Sequence, residues 1–352
     1  MKEPHEADRA GQHPGEMRTE TGSLEALLMK AVRAREHLFD AQHEAAFRLF
    51  NGFLEGCPDL AIDLYAATLL LHNYADPPEH GAGSIQTARV LLPALFPWIR
   101  AIVLKRRHAA SMEERKGEII FGGEPDRKVR EHGIWYAIDL CMNRDASLYL
   151  DTRLLRRWAV QNLKGRTVLN SFAYTGSLGV AALGGGALRV LQLDTNRRFL
   201  NLAETSSRLN GFAASSQDFQ VGDFWQQIER LKRGGERYDC IFIDPPFFST
   251  TRRGVVDLTK NSARLINKVR PLINDGGQLV AINNALFMSG EAYLAVLEGL
   301  CADGYMQIEA LIPVPEDFTG YPQTCQGNPV TDPAPFNHAT KIAVLRVHRK
   351  GG

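Results

Sequence analysis

The sequence predicts an α/β protein whose C-terminal half is a mostly parallel seven-stranded sheet with helices on both faces, preceded by a small α+β lobe. Three observations predict it. After Leu163, apolar strand-like runs alternate regularly with helical segments, the signature of parallel strands joined by crossover helices. The last run, Lys341 to Val347, follows a long Pro-containing loop rather than a helix, so it fits an antiparallel insertion better than another crossover. Before residue 125 the pattern is different, with short apolar alternations around a helix and no such regularity.

In chain order, residues 1–22 carry Gly11, Pro14, Gly15 and Gly22 and too little apolar content to pack, and are expected to be a disordered tail. Leu24, Leu27, Leu28, Ala31, Val32 and Leu38 recur at helical spacing behind Ser23, a good N-cap, which predicts a helix from Ser23 to Phe39. Residues 46–74 read as a pair of short strands flanking a Gly and Pro turn between Gly52 and Pro58. With an Ala- and Leu-rich segment from Thr87 to Leu95 and a strand at Ala101 to Leu104, these make a lobe spanning 23–125. Residues 126–352 form the second domain, with strands at Thr167–Phe172, Arg189–Leu193, Phe219–Val221, Tyr238–Ile243, Gly277–Ile282, Ile308–Pro313 and Lys341–Val347.

Composition narrows the function. No run of about 18 apolar residues occurs to span a membrane, and the polar N-terminus has no apolar signal core, so a cytoplasmic protein is expected. Five cysteines lie far apart without a Cys-x-x-Cys pair, which argues against a disulfide framework and a zinc site. No metal is expected. The net charge of +1 conceals a basic segment: residues 99–170 hold 15 Lys and Arg against 9 Asp and Glu. Within it, Lys105, Arg106, Arg107, Arg127 and Lys128 form either a phosphate-facing surface or a solvated face.

The first strand of the second domain runs into Asn170-Ser171-Phe172-Ala173-Tyr174-Thr175-Gly176-Ser177, a strand-to-helix turn in which Gly176 lets the backbone approach a ligand closely. The next strand ends at Asp194-Thr195, where a carboxylate can accept both hydroxyls of a ribose. The third ends at Asp223-Phe224, an acceptor for an adenine amino group beside an aromatic ring. Each acid alone would pass for a helix cap. A nicotinamide dehydrogenase shares the first two features, but Gly-x-Gly-x-x-Gly is absent. The fourth strand then runs into Asp244-Pro245-Pro246-Phe247, whose carboxylate and proline-fixed carbonyls can accept a base's amino protons while the ring stacks on the base.

On these residues the chain resembles the bacterial 23S ribosomal RNA methyltransferase family that includes a cytosine-C5 enzyme and the guanine-N7 half of a bifunctional enzyme. The likeness runs from about Phe47 to Val347, through Arg48–Gly52, Pro58–Asp63, Val103–Arg107, Leu148–Arg153, Leu169–Ser177, Asp194 and Asp244–Phe248. It implies a Rossmann-like class I methyltransferase domain, S-adenosylmethionine as cofactor, and ribosomal RNA or a pre-ribosomal particle as substrate. It also implies that Asp151 and Arg153 help close the cofactor pocket from outside the sheet. Arg153, Arg156 and Arg157 share one predicted helix, so a phosphate contact or a solvated face is open there as well. The RNA-binding module that commonly precedes the small lobe in the family is not expected in so short a tail.

The departures bear on the reaction. Methylating a pyrimidine carbon needs a cysteine thiolate to attack C6, and the cytosine-C5 relative carries one at the tip of its fifth strand. Here that tip reads Ala281-Ile282-Asn283-Asn284-Ala285, and paired asparagines resemble the guanine-N7 relative. Cys240 begins the fourth strand, about 13 Å from its active end at about 3.3 Å per residue. Cys325, in the loop before the last strand, remains open as a nucleophile or a structural thiol. Methylation of a base nitrogen, guanine ahead of adenine, is therefore expected, with Asp244, Pro245, Pro246, Phe247 and Asn283 or Asn284 handling the base. His338 is either pocket lining or an ordinary loop histidine. The competing classes are a cytosine-C5 enzyme, a methyltransferase acting on a small molecule or protein, and a non-catalytic RNA-binding protein.

Overall fold

A computed structural model describes residues 22–251 and 254–349; the tail expected to be disordered lies outside the described residues, apart from Gly22. The chain opens on a helix, Leu24–Ala34, capped by the Ser23 hydroxyl, which accepts from Ala26 N. A separate 3-10 turn at Glu36–Leu38 ends the segment, so the predicted helix to Phe39 is two pieces. Strands β1 (Ala46–Asn51), β2 (Leu60–Tyr65), β3 (Thr68–Asn73), β4 (Ala101–Arg106) and β5 (Glu118–Gly122) follow, forming one sheet in that order. Three strands, not two, occupy residues 46–74, because Ala66 takes a positive φ of 54° and turns the apolar run from Leu60 to Leu71 back on itself. β3 and β4 are parallel, which requires a crossover, and the helix Ala82–Leu95 supplies it.

After a hairpin of β6 (Lys128–Glu131) and β7 (Ile134–Ala137) comes the second sheet. Its strands are β8 (Thr167–Ser171), β9 (Arg189–Asp194), β10 (Phe219–Val221), β11 (Tyr238–Ile243), β14 (Ile273–Asn283), β15 (Met306–Leu311) and β16 (Lys341–Val347). β12 (Phe248–Thr251) and β13 (Gly254–Asp257) form a separate hairpin directly beyond β11. The spatial order is β10-β9-β8-β11-β14-β16-β15, with β16 antiparallel to both neighbours, as the missing crossover before Lys341 predicts.

Strand alternation sorts the core. Val168, Phe242, Val280, Ile282, Ile342 and Val344 point to one face, while Leu169, Ile241, Ile243, Leu279, Ala343 and Leu345 point to the other. Both faces are buried, which is why these strands read as continuous apolar runs. The first face shares its core with Tyr65, Leu70 and Val103 of the small lobe. The lobe's other face packs Phe47, Leu49, Leu69 and Ile102 against Leu28 and Ala31 of the first helix and Ala88 and Leu92 of the crossover helix. No described helix is long and apolar enough to cross a membrane.

The lobes are also joined by charge. Arg153, at the start of the helix Arg153–Asn162, ion-pairs with the buried Asp317, whose carboxylate also accepts from Arg48 N of β1 at 2.9 Å. Arg156, one helical turn on, is fully buried against Glu131. Neither arginine is a phosphate contact or a solvated residue, and Arg153 is spent on Asp317 rather than free to close a pocket. Removing either side of such a pair leaves an uncompensated buried charge, so both act as structural clamps.

Candidate active site

The C-terminal ends of β8, β9, β10, β11 and β14 converge with the start of β16 on a cleft of about 720 Å³. Such an edge is where parallel α/β sheets bind ligands, since each strand delivers its next residue there. At β8 the backbone is unusual: Phe172 and Tyr174 have φ of 55° and 52°, ahead of Gly176 at 75°. Bulky residues in the left-handed region cost about 1–3 kcal/mol each and concentrate where a ligand is clamped. A Cβ at Gly176 would lie 2.4 Å from the Ala203 side chain, so glycine is required there on steric grounds too.

The turn is braced from behind. Asn170 donates to Gln192 Oε1 at 2.8 Å, and Gln192 donates to the Gly176 carbonyl at 3.1 Å. Thr175 is buried and donates to the Ser147 carbonyl. Asn170, Thr175 and Gly176 therefore hold the loop, and the residues of this turn that line the cleft are Phe172 and Tyr174. Tyr174 packs edge-on to Phe199 and beside Tyr149, and its hydroxyl donates to the Ala146 carbonyl at 2.9 Å.

Asp194 lines the cleft, with one oxygen accepting from Tyr174 N at 2.8 Å and the other from Asn196 N at 2.9 Å. Burial pushes its carboxyl up from the usual range, and these backbone donors oppose the shift. The Thr195 backbone and hydroxyl also interact with this carboxylate. Asp223 caps the helix Phe224–Arg233 by accepting from Gln226 N at 3.2 Å, so the acid is a helix cap and a cleft residue at once. Phe172 and Phe224 stack at 4.5 Å, and both line the cleft with Thr195.

Asp244 and Pro245 form the floor at β11, and burial, with the nearby Asp151 carboxylate, pushes the Asp244 carboxyl up to about 7. Asp151 also lines the cleft, oriented by the Thr340 hydroxyl, which donates to it at 2.8 Å. Pro246 lines the cleft as well, but Phe247 and Phe248 are exposed, 48% and 60%, and are not among the lining residues. Asn283 is fully buried instead: its amide donates to the Leu258 carbonyl and Ser262 Oγ, and its oxygen accepts from Ala285 N. Asn284, the exposed residue directly after β14, is the asparagine that lines the cleft. His338 is not among the lining residues; its Nδ1 accepts from Thr340 N at 3.0 Å. None of the five cysteines is among them either, and Cys240 is fully buried in β11.

The anticipated RNA surface is reduced. Lys105 is buried, with its ammonium donating to the Lys116 and Asn143 carbonyls, and burial brings its pKa down to about 8. It cannot meet a phosphate. Arg106 pairs with Glu118 at 2.6 Å and Arg107 with Asp145 at 3.0 Å. Arg127 and Lys128 are exposed, the latter 4.1 Å above the Trp135 ring. Sequence reasoning missed Asn143, Asp145, Phe199, Trp225 and Thr340 as cleft residues. They come from loops and helices with no local pattern, whereas Tyr149 adjoins Asp151 in a segment already singled out. Among the described residues no group of three or more His, Cys, Asp or Glu is placed to hold a metal.

A strained turn, an acid at the β9 tip, a stacked aromatic pair and a second acid at the β10 tip, in a cleft of this size, suit an adenosine cofactor such as S-adenosylmethionine. The strand order with its reversed β16 and this cleft define a Rossmann-like class I methyltransferase domain. The chain belongs to the S-adenosylmethionine-dependent methyltransferase family, which residues 48–316 match. It is 30% identical over 312 residues to the putative ribosomal RNA large subunit methyltransferase YwbD of Bacillus subtilis, covering 86% of this chain and 77% of that one. It is 26% identical over 284 residues to the ribosomal RNA large subunit methyltransferase I of Erwinia tasmaniensis, covering 80% and 72%. The crystal structure of SMU.776, a putative methyltransferase complexed with SAH, shares the fold with a TM-score of 0.78 at 23% identity, covering 92% of this chain and 81% of that one. The protein is an S-adenosylmethionine-dependent methyltransferase.

Proposed function

We propose that the protein methylates a base nitrogen, guanine in the first instance, of large-subunit ribosomal RNA, either naked or in a pre-ribosomal particle. The RNA class rests on the named relatives, which are ribosomal RNA large subunit methyltransferases. The nitrogen assignment rests on one observation: the carboxyl, proline and asparagine groups of Asp244, Pro245 and Asn284 line a cleft whose described walls contain no thiol.

Bound S-adenosylmethionine supplies a methyl group already activated on sulfonium. What the chain must do is hold and align the two partners and exclude water. Asp194 holds the ribose hydroxyls, Asp223 accepts from the adenine amino group, and Phe172 and Phe224 pack on the ring. On the acceptor side Asp244 orients the base. Near neutral pH its carboxyl populates both forms, so it accepts from an amino or imino N–H when ionised and donates to a carbonyl or ring nitrogen when neutral. Phe247 or Phe248 stacks on the base, and Asn284 reads its edge.

The test is nucleoside mass spectrometry of large-subunit rRNA from a deletion strain and its parent, followed by methylation of the deletion-strain RNA by the purified protein. Loss and restoration of one methylguanine is expected. Loss of a 5-methylcytosine instead would overturn the nitrogen assignment, and an unchanged nucleoside profile would overturn the RNA reading.

A further inference from the structure

Lys105 is buried and Arg106 and Arg107 are paired, but a second group of cations is not neutralised in this way. The helices Phe224–Arg233 and Ser262–Val269 enclose a groove of about 600 Å³ whose lining includes Trp225, Glu229, Lys232, Arg233, Arg264 and Lys268. Four cations thus share one carboxylate. Glu229 already receives both Lys232 and Lys268, while Arg233 and Arg264 are exposed and have no carboxylate partner among the described residues. Arg264 is held in place by the Trp225 ring, its guanidinium 4.8 Å from the centroid, with the Lys268 ammonium at 5.8 Å. Cations ordered in this way in a concave surface lose little freedom on meeting an anion.

Trp225 ties the groove to the chemistry, because it lines both the groove and the catalytic cleft. The β12–β13 hairpin beyond Phe248 leans on the same indole: a Cβ at Gly254 would lie 2.4 Å from Trp225 Nε1. The groove and the cleft therefore adjoin across this indole, so a strand whose base sits against Asp244 brings its neighbouring phosphates toward the groove. The cofactor does not account for the charge, since its single carboxylate is outweighed by its own ammonium and sulfonium. Resting on the reading of an RNA substrate, we propose that the groove binds the phosphodiester backbone of the RNA strand flanking the target nucleotide.

The test compares the parent protein with Arg233→Glu/Arg264→Glu, using large-subunit rRNA from the deletion strain as substrate and titrating salt. In the variant, KM for RNA is expected to rise about tenfold near physiological salt, and the slope of log KM against log salt to fall by about 0.7 for each phosphate that the groove no longer neutralises. The Kd for S-adenosylmethionine should stay at the parent value and thereby report an intact fold. Should the double variant lose cofactor binding, Arg233→Gln alone carries the comparison, with half the slope change expected. An unchanged slope in a variant that binds cofactor overturns the groove assignment while leaving the RNA reading intact. A parent protein that methylates no RNA overturns both. An unchanged slope on naked rRNA with weakened association to assembled large-subunit particles would assign the groove to a ribosomal protein and likewise overturn the proposal.

Discussion

The Asp151 carboxylate, anchored by Thr340, lies close enough to Asp244 to add to the burial that raises the Asp244 carboxyl to about 7. The two acids reach one cleft from separate parts of the chain, Asp244 from the tip of β11 and Asp151 from the 3-10 turn Leu150–Thr152. Burial is the larger cause and Asp151 the smaller.

A pH dependence follows. With an RNA substrate, kcat/KM should show an inflection near pH 7 that belongs to the free enzyme. Asp151→Asn should move it to lower pH without abolishing it, since burial remains, and Asp244→Asn should abolish it. The same shift acts on stability. A folded-state pKa above the unfolded value means that the folded chain binds more protons between the two, so stability falls as pH rises from about 4 to about 7. The penalty is absent at lower pH and complete above it. Asp244→Asn should therefore be more stable than the parent at pH 8 and similar at pH 4. Urea melts at the two pH values check this, and equal midpoints at pH 8 would contradict a raised carboxyl.

The cofactor and acceptor ends of the cleft should separate by mutation. Asp194→Ala removes a hydrogen-bonding carboxylate at the β9 tip and should weaken S-adenosylmethionine by about one to two decades, or roughly 1.5–3 kcal/mol. Asp244→Ala should spare cofactor affinity more and lower kcat strongly, because its proposed contact is to the base. Calorimetry with S-adenosylmethionine decides the first; an unchanged Kd for Asp194→Ala would remove the ribose assignment.

The large sheet was legible in the sequence because its strands are buried on both faces and its crossovers are regular, so apolar runs and helical periodicity alternate without ambiguity. The reversed last strand was legible from the missing crossover before Lys341. The strand tips were legible too, since Phe172, Asp194, Asp223 and Asp244 each follow a strand and all line the cleft. What sequence could not show was direction and partnership. Asn283 and Asn284 are adjacent and chemically identical, yet the first ends β14 with its amide buried and the second, just past the strand, lines the cleft. Lys105 sits on β4 among basic neighbours, but the sheet face it occupies is covered by the Asn143 loop. Arg153 meets Asp317 across 164 residues, a pairing no local pattern encodes.

The burial of Lys105 gives a direct contrast with Arg127. Lys105→Ala strips its carbonyl partners of a charged donor and should destabilise the fold by about 1.5–3 kcal/mol while leaving the salt dependence of RNA binding unchanged. Arg127→Ala, at an exposed residue in a long 3.5 Å ion pair with Asp139, should change stability by less than about 0.5 kcal/mol. Thermal melts of the two variants beside the parent are sufficient, and a Lys105→Ala melt equal to the parent's would contradict the buried ammonium.

Finally, methyl transfer should proceed directly to nitrogen, without a covalent enzyme–base intermediate. A pyrimidine C6 requires a soft, accessible thiolate, and the chain places none at the reacting edge. Cys240 is fully buried in the middle of the sheet, where burial raises its thiol far from the range in which a thiolate forms. Cys57 and Cys141 are also pushed up by burial, and Cys301 lies on the helix Gly290–Cys301. Cys325 is exposed, but it belongs to the loop whose Gln326 N donates to the Leu54 carbonyl of the small lobe, and its thiol donates to the Gly327 carbonyl at 3.3 Å. The groups that do line the cleft, Asp244 and Asn284 among them, are poor substitutes: an amide does not add to C6, and a carboxylate is a weak nucleophile toward it. Replacing all five cysteines with Ser or Ala should therefore leave kcat within about threefold of the parent, with stability losses concentrated at Cys240. Incubation with RNA containing 5-fluorocytosine should leave the intact protein mass unchanged. A trapped adduct mapping to Cys325, together with loss of activity in Cys325→Ala alone, would show that the loop reaches the cleft during turnover and that the acceptor is a cytosine carbon.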